Sequence, residues 1–362
     1  MLSKSNRLPI LSALFTYIFC FLPCIAVGQT PAVRTEPEIR TLIPGQLDAQ
    51  LAQAKSLLDQ GKIADADRAV RDYLATHPDS ADAHFLLGYI LFRQIQAHTG
   101  AMDSSQHENY KEQEAPMPGA ASVEASAKDS LAEFTEGAKI RQPSPFDLKI
   151  VALDYVVLGD YVDADKWLTR SLQWNPKDAD SWYWMGRTKY NENRFDEAAQ
   201  SFAQYLKSDP KSVKAEDNLG LSYAALGKTD QAIGAYQNAI AWQSQSVNKD
   251  PGPFLDLGTL LMDQNRPQEA VSYFLQAVAI STKESRFHEA LGQAYFRLEQ
   301  LQKAQEELET AVSLSPQNPR LHYLLGRVYR QQGLVTKADA EFSRGESLKA
   351  GSSQTIPAPS QP

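Results

Sequence analysis

Between Trp182 and Pro210 the apolar residues keep the spacing that one helix face requires. Trp182, Met185, Gly186 and Lys189 fall at i, i+3, i+4 and i+7. Asn191-Glu192-Asn193 reads as a turn, and Phe195, Ala198, Phe202 and Tyr205 mark one face of a second helix that Pro210 ends. A helix pair this short cannot bury both of its faces. It needs a copy of itself on each side, and the chain supplies copies.

The same pattern recurs forward at Glu216, Leu219, Gly220, Tyr223, Gly227, Ala232, Tyr236 and Ala239. One equal step back lands on Leu148, Val151, Ala152, Tyr155, Gly159, Ala164, Leu168, Ser171 and Pro176. Further sets begin at Phe254 (with Leu257, Gly258, Ala270, Phe274), His288 (Leu291, Gly292, Ala304, Leu308) and His322 (Leu325, Gly326, Ala338, Phe342). This order of Trp, Leu-Gly, Tyr, Ala, Phe, Ala and Pro, with its period of about 34 residues, resembles the tetratricopeptide repeat over roughly residues 47–349. The resemblance implies an all-α fold, a right-handed superhelical solenoid of about eight helix-turn-helix repeats. It also implies that first helices line a concave groove where partner segments bind.

The mid-helix glycines predict close packing. Gly186, Gly220, Gly258, Gly292 and Gly326 each cost about 1 kcal/mol against Ala, a cost that makes sense where another helix leaves no room for a side chain. Ala198, Ala232, Ala270, Ala304 and Ala338 are the expected partners at that contact, with Tyr223, Tyr236, Phe274 and Phe342 filling the space between pairs.

In chain order, residues 1–28 read as a secretory signal peptide. Lys4 and Arg7 precede an apolar run from Ile10 to Leu22 and a small-residue site, Ala26-Val27-Gly28, so cleavage is expected before Gln29. The alternatives are an uncleaved anchor, for which the run is short, and a lipoprotein signal centred on Cys24, which Pro23 directly before it disfavours. Residues 29–46 form a Pro-bearing linker. The repeats are read as 47–80, 81–144, 145–178, 179–212, 213–250, 251–284, 285–318 and 319–349, followed by a disordered tail, 350–362. The first has Gln50 and Gln53 where large residues would pack, which suits a terminal cap. The second starts at Ala81 and the third at Pro145, nearly two periods apart instead of one. A flexible insertion is therefore placed near 96–122, and the second helix of that pair near Val123–Ile140. The fifth repeat carries four extra residues at Gln243–Asp250.

Composition removes several function classes. Both cysteines, Cys20 and Cys24, lie in the leader, so the exported chain has no disulfide, no thiolate nucleophile and no Cys metal site. Cleavage takes two from the 36 Lys and Arg side chains and none from the 44 Asp and Glu, moving the net charge from −8 to −10. That disfavours general nucleic-acid binding. No nucleophile elbow, phosphate loop or paired-His zinc helix is present; Gly220-Leu-Ser222-Tyr-Ala lacks the second Gly. His98, Asp103, His107 and Glu108 in the insertion lack rigid elements to hold a metal. His288 and His322 stand where Trp182 stands and read as packing residues. No catalytic, cofactor or metal site is expected, and no membrane span after cleavage.

What remains is surface. The stripe beside the packing face holds Asp180, Tyr183, Arg187 and Tyr190, then Lys214, Asp217, Leu221 and Ala224, then Arg286, Glu289, Gln293 and Arg297, then Arg320, Tyr323, Arg327 and Arg330. Its basic and aromatic members, Tyr183, Arg187, Tyr190, Lys214, Arg286, Arg297, Arg320, Tyr323, Arg327 and Arg330, are the candidate groove, suited to acidic protein or peptide segments. The asparagine ladder of glycosyltransferase repeats is absent, since only Asn218 stands at that register, and the chaperone-tail carboxylate clamp is incomplete. The reading is a non-catalytic interaction scaffold, exported to the periplasm or beyond. The alternative is an accessory binding subunit of an envelope polysaccharide or peptidoglycan system.

Overall fold

The computed structural model describes residues 48–99 and 120–353. The leader, most of the linker, the centre of the insertion and the tail beyond Ser353 lie outside the described residues. Sixteen α-helices make up what is described: α1 (Ala49–Asp59), α2 (Ile63–Thr76), α3 (Ala81–Thr99), α4 (Ala120–Ile140), α5 (Pro145–Val157), α6 (Tyr161–Trp174), α7 (Ala179–Asn191), α8 (Phe195–Tyr205), α9 (Val213–Ala225), α10 (Thr229–Trp242), α11 (Gly252–Asp263), α12 (Pro267–Ile280), α13 (Ser285–Arg297), α14 (Leu301–Leu314), α15 (Pro319–Gln331) and α16 (Val335–Ser353). Taken two by two they are eight helix pairs, an all-α solenoid fold, with no strand among the described residues.

The chain falls into two compact units. In the first, up to Gln94 and from Ser126 to Pro143, Leu51, Leu58, Val70, Tyr73, Leu87 and Ile90 form the core. Gln50 and Gln53 of α1 are exposed. Here α4 takes the second-helix place against α3. The Ser130 hydroxyl donates to the Gly88 carbonyl at 2.9 Å, Arg141 meets Asp82 at 2.7 Å, and His84 meets Glu133 at 2.7 Å. Both ends of the 96–122 stretch are helical, because α3 continues to Thr99 and α4 starts at Ala120.

The second unit takes the described residues of 95–125 and those from Ser144 to Ser353. Within each pair from α5/α6 to α15/α16 the two helices pack together, and each second helix also packs on the next first helix. The glycines explain how closely. A Cβ on Gly186 would stand 2.7 Å from the Phe202 ring, on Gly220 2.6 Å from Tyr236, on Gly292 2.7 Å from Leu308 and on Gly326 2.8 Å from Phe342; one on Gly258 would collide with Phe274. This corrects the sequence expectation: the group facing each glycine is the large residue one turn beyond the expected alanine. The alanines lie on the same buried stripe, and Ala198, Ala232, Ala270, Ala304 and Ala338 are all fully covered. Large side chain and small side chain thus alternate along one face. A second correction concerns α8, which ends at Tyr205 and not at Pro210; a hydrogen-bonded turn over Leu206–Ser208 intervenes.

In four of the first helices a side chain one turn in ties the helix to the loop before it. Trp182 Nε1 donates to the Pro176 carbonyl at 2.9 Å. His288 and His322 keep that tie to Thr282 and Pro316, and their Nδ1 atoms add a 2.7 Å contact to Glu307 and Glu341 on the paired second helix. Burial disfavours a charged His84, yet its contacts with Glu133 and the Pro78 carbonyl outweigh that and raise its pKa. Glu216 occupies the same place in α9. Burial pushes its carboxyl pKa up, against the pull of a hydrogen bond from Asn238 at 2.8 Å. An acid with a raised folded pKa opposes folding once it ionises. Glu216→Gln is therefore expected to raise stability at pH 7, and the gain should shrink as pH falls, in urea titrations at two pH values.

Candidate partner-binding face

In the second unit, first helices meet first helices: α5 with α7, α7 with α9, α9 with α11, α11 with α13 and α13 with α15. Their outward surfaces therefore join into one continuous face. Equivalent positions on it can be read off directly. Tyr190, Ala224, Met262, Phe296 and Arg330 stand in one row, and Arg187, Leu221, Thr259, Gln293 and Arg327 in the row one turn earlier. Tyr190, Ala224, Met262 and Phe296 are half-buried, packed from below and open above. Met262 and Phe296 were not singled out from sequence; the repeat register, corrected for the longer fifth repeat, was the signal that would have found them.

The ten candidate residues separate into three groups. Tyr183 is only 5% exposed, which corrects its assignment as a groove anchor. Its ring packs edge-on to Trp184 and Phe202 and lies 5.4 Å from Tyr205, so it belongs to the core of its own pair. Burial dominates its raised pKa, countered by Arg187.

Four more are already engaged by other side chains. Arg286 pairs with Glu284 at 2.7 Å and lies over Phe287. Arg320 pairs with Glu289 at 3.0 Å. Arg330 lies 4.5 Å above the Phe342 ring and 3.5 Å from Asp339, and Tyr323 packs beside that ring. These last two line a hollow with Ser343 and Glu346, where Phe342 is half-buried.

The other five sit on the shared face. Tyr190 is half-buried against Phe195, and burial together with the Asp256 charge raises its pKa. Lys214 opens α9, its carbonyl accepting from Asn218, which satisfies that side chain within its own helix. Arg187 lies 5.1 Å above Trp184, Arg327 lies 5.1 Å above Phe296 of the neighbouring pair, and Arg297 is exposed. Among the described residues, these three guanidiniums meet no carboxylate.

Among the described residues no group of three His, Cys, Asp or Glu side chains is arranged to hold a metal ion, and no helix is long and apolar enough to cross a membrane.

Tetratricopeptide repeat models match residues 51–104 and 255–304, 158–216, and 215–241, and a TPR repeat model matches 292–333. The chain belongs to the tetratricopeptide repeat family. Among solved structures it is similar to a tetratricopeptide repeat protein from Parabacteroides merdae, with TM-score 0.55, 15% identity, and coverage of 77% of this chain and 97% of that one. It is also similar to a chain of the APC/C hetero-tetramer Cut9-Hcn1, with TM-score 0.52, 17% identity, and coverage of 85% of this chain and 55% of that one. These likenesses concern the fold. A curated relative, the peroxisomal targeting signal receptor of Saccharomyces cerevisiae, is 30% identical over 95 residues, which span 26% of this chain and only 15% of the receptor.

Proposed function

We propose that this protein is a non-catalytic interaction scaffold that holds partner segments along the joined first-helix face from α7 to α15. The observation that carries this reading is the row Tyr190, Ala224, Met262 and Phe296, half-buried apolar positions repeated at the same register in four successive helix pairs. Such a row is well placed to receive an extended or helical segment, with apolar contact supplying affinity and the flanking charges supplying selectivity. The receptor among its relatives is named for recognising a targeting signal, which accords with peptide binding here. Crosslinking in the native host identifies the partners. Thr259, exposed in the middle of the face, is the residue to fill: Thr259→Trp is expected to abolish their recovery, and Val162→Arg on an exposed second-helix position to leave it intact. Partners retained by Thr259→Trp would sink the reading.

The working place we propose is the cell envelope or the extracellular space. Support comes from the composition of residues 1–28, a charged start, an apolar run and Ala26-Val27-Gly28. The intact mass of protein taken from its host is expected to begin at or near Gln29. A full-length chain in the cytoplasm would defeat this part of the proposal and leave the scaffold role standing.

A further inference from the structure

The geometry points to a specific partner chemistry for this face: an extended segment of about nine to twelve residues, apolar in its middle and carrying a carboxylate near each end. This inference rests on the scaffold reading above and adds a charge rule and a length to it.

The charge rule comes from sorting the arginines by what already neutralises them. Arg286, Arg320 and Arg330 are held by Glu284, Glu289 and Asp339. Arg187, Arg297 and Arg327 meet no carboxylate among the described residues. Their places matter. Arg187 stands at the α7 end of the apolar row. Arg327 stands at the α15 end, its guanidinium laid over Phe296, the residue directly before Arg297, so the far end of the row carries two cations. Both stacked guanidiniums are oriented by an aromatic ring, Trp184 in one case and Phe296 in the other. A planar guanidinium held this way offers a paired set of N–H donors to a carboxylate with less side-chain freedom to lose. Between the two ends no unpaired cation stands in the rows; Leu221, Ala224, Met262 and Phe296 are apolar and Thr259 and Gln293 neutral.

The length follows from the packing. Arg297 lies on α13, three steps between touching first helices from α7, and Arg327 on α15 lies four steps away with its guanidinium laid back over Phe296 of α13; at about 10 Å a step the cationic ends are about 30–40 Å apart. An extended chain advances about 3.3 Å per residue, which makes the bridging segment about nine to twelve residues. A helix, at about 1.5 Å per residue, would need more than twice that number to touch both ends.

The test is selection of binders from a phage-displayed library of random peptides, a few residues longer than this span, on the full chain, followed by titration of synthetic copies. Enriched peptides are expected to carry Asp or Glu near both ends with apolar residues between. Arg187→Glu alone, and Arg297→Glu with Arg327→Glu, should each weaken the synthetic peptide at least about tenfold with melting unchanged. Replacing the acidic residue at one end of the peptide by Lys should restore binding to one of these variants. Arg320→Ala, whose guanidinium is already held by Glu289, should change affinity less than about threefold. Peptides without acidic ends that Thr259→Trp still blocks would overturn the charge rule and leave the scaffold reading intact. Binders indifferent to Thr259→Trp, or no binders at all, would overturn both.

Discussion

Phe274→Ala is expected to cost about 3–5 kcal/mol and to split unfolding into more than one transition. Phe274 is 1% exposed and belongs to the cluster that joins Tyr236, Leu257, Leu261 and Leu291 across three helix pairs. Its ring lies against Gly258, so truncation opens a cavity between two rigid helix backbones that cannot close over it. In a stack each pair touches only its neighbours, so weakening α11/α12 uncouples the pairs on either side. Phe274→Leu should be far milder, about 1 kcal/mol, because Leu308 already fills the equivalent place against Gly292. The same logic gives a coupling. Gly258→Ala should cost roughly 1–3 kcal/mol beside Phe274 and less in the Phe274→Leu background, and a double-mutant cycle in urea measures the difference. A Phe274→Ala loss below about 1 kcal/mol would mean that the ring does not hold the stack.

The repeat, the turns and the buried glycines were legible because they depend on local spacing that recurs in every pair. What the glycines pack against was not. Gly258 and Ala270 are both small, and pairing them is natural in one dimension; only the crossing of α11 and α12 reveals that Phe274 faces the glycine. Tyr183 shows the same limit. It sits one residue past the packing stripe, yet Phe202 and Tyr205 close over it and make it core. The candidate arginines were legible as a set, and their states were not, because Glu289, which neutralises Arg320, lies on the preceding pair, far from it in the chain. The row through Met262 and Phe296 was hidden by the four extra residues of the fifth repeat. There the Gln243 side chain accepts from the Asp250 N–H at 2.6 Å and donates to its carbonyl at 2.9 Å, closing the longer loop and keeping the register of α11.

Asp165→Ala is expected to destabilise the protein by roughly 2–4 kcal/mol, more than loss of the lysine it serves. Lys189 was placed on the packing face by sequence, and it is indeed buried, with its side chain 8% exposed. Its ammonium is held by Asp165 of the preceding pair at 2.7 Å, and Glu197, at 3.4 Å and half-exposed, is a weaker second partner. Removing Asp165 leaves the buried Lys189 ammonium with the half-exposed Glu197 alone, which offsets only part of the cost of burying it. The reverse deletion is different. In Lys189→Met the methylene stem is replaced by an apolar chain of similar reach, and Asp165 keeps Arg194 at 2.9 Å, so the expected loss is about 1 kcal/mol or less. The asymmetry has a corollary: with Lys189→Met already in place, Asp165→Ala should cost only its remaining contacts to the half-exposed Arg194 and to the Thr169 hydroxyl, about 1 kcal/mol or less. Chemical denaturation of the two single variants and the double variant decides it. Equal losses for the two single variants would show that the pair acts as an ordinary surface bridge, and that apolar packing alone fixes α7 on α6.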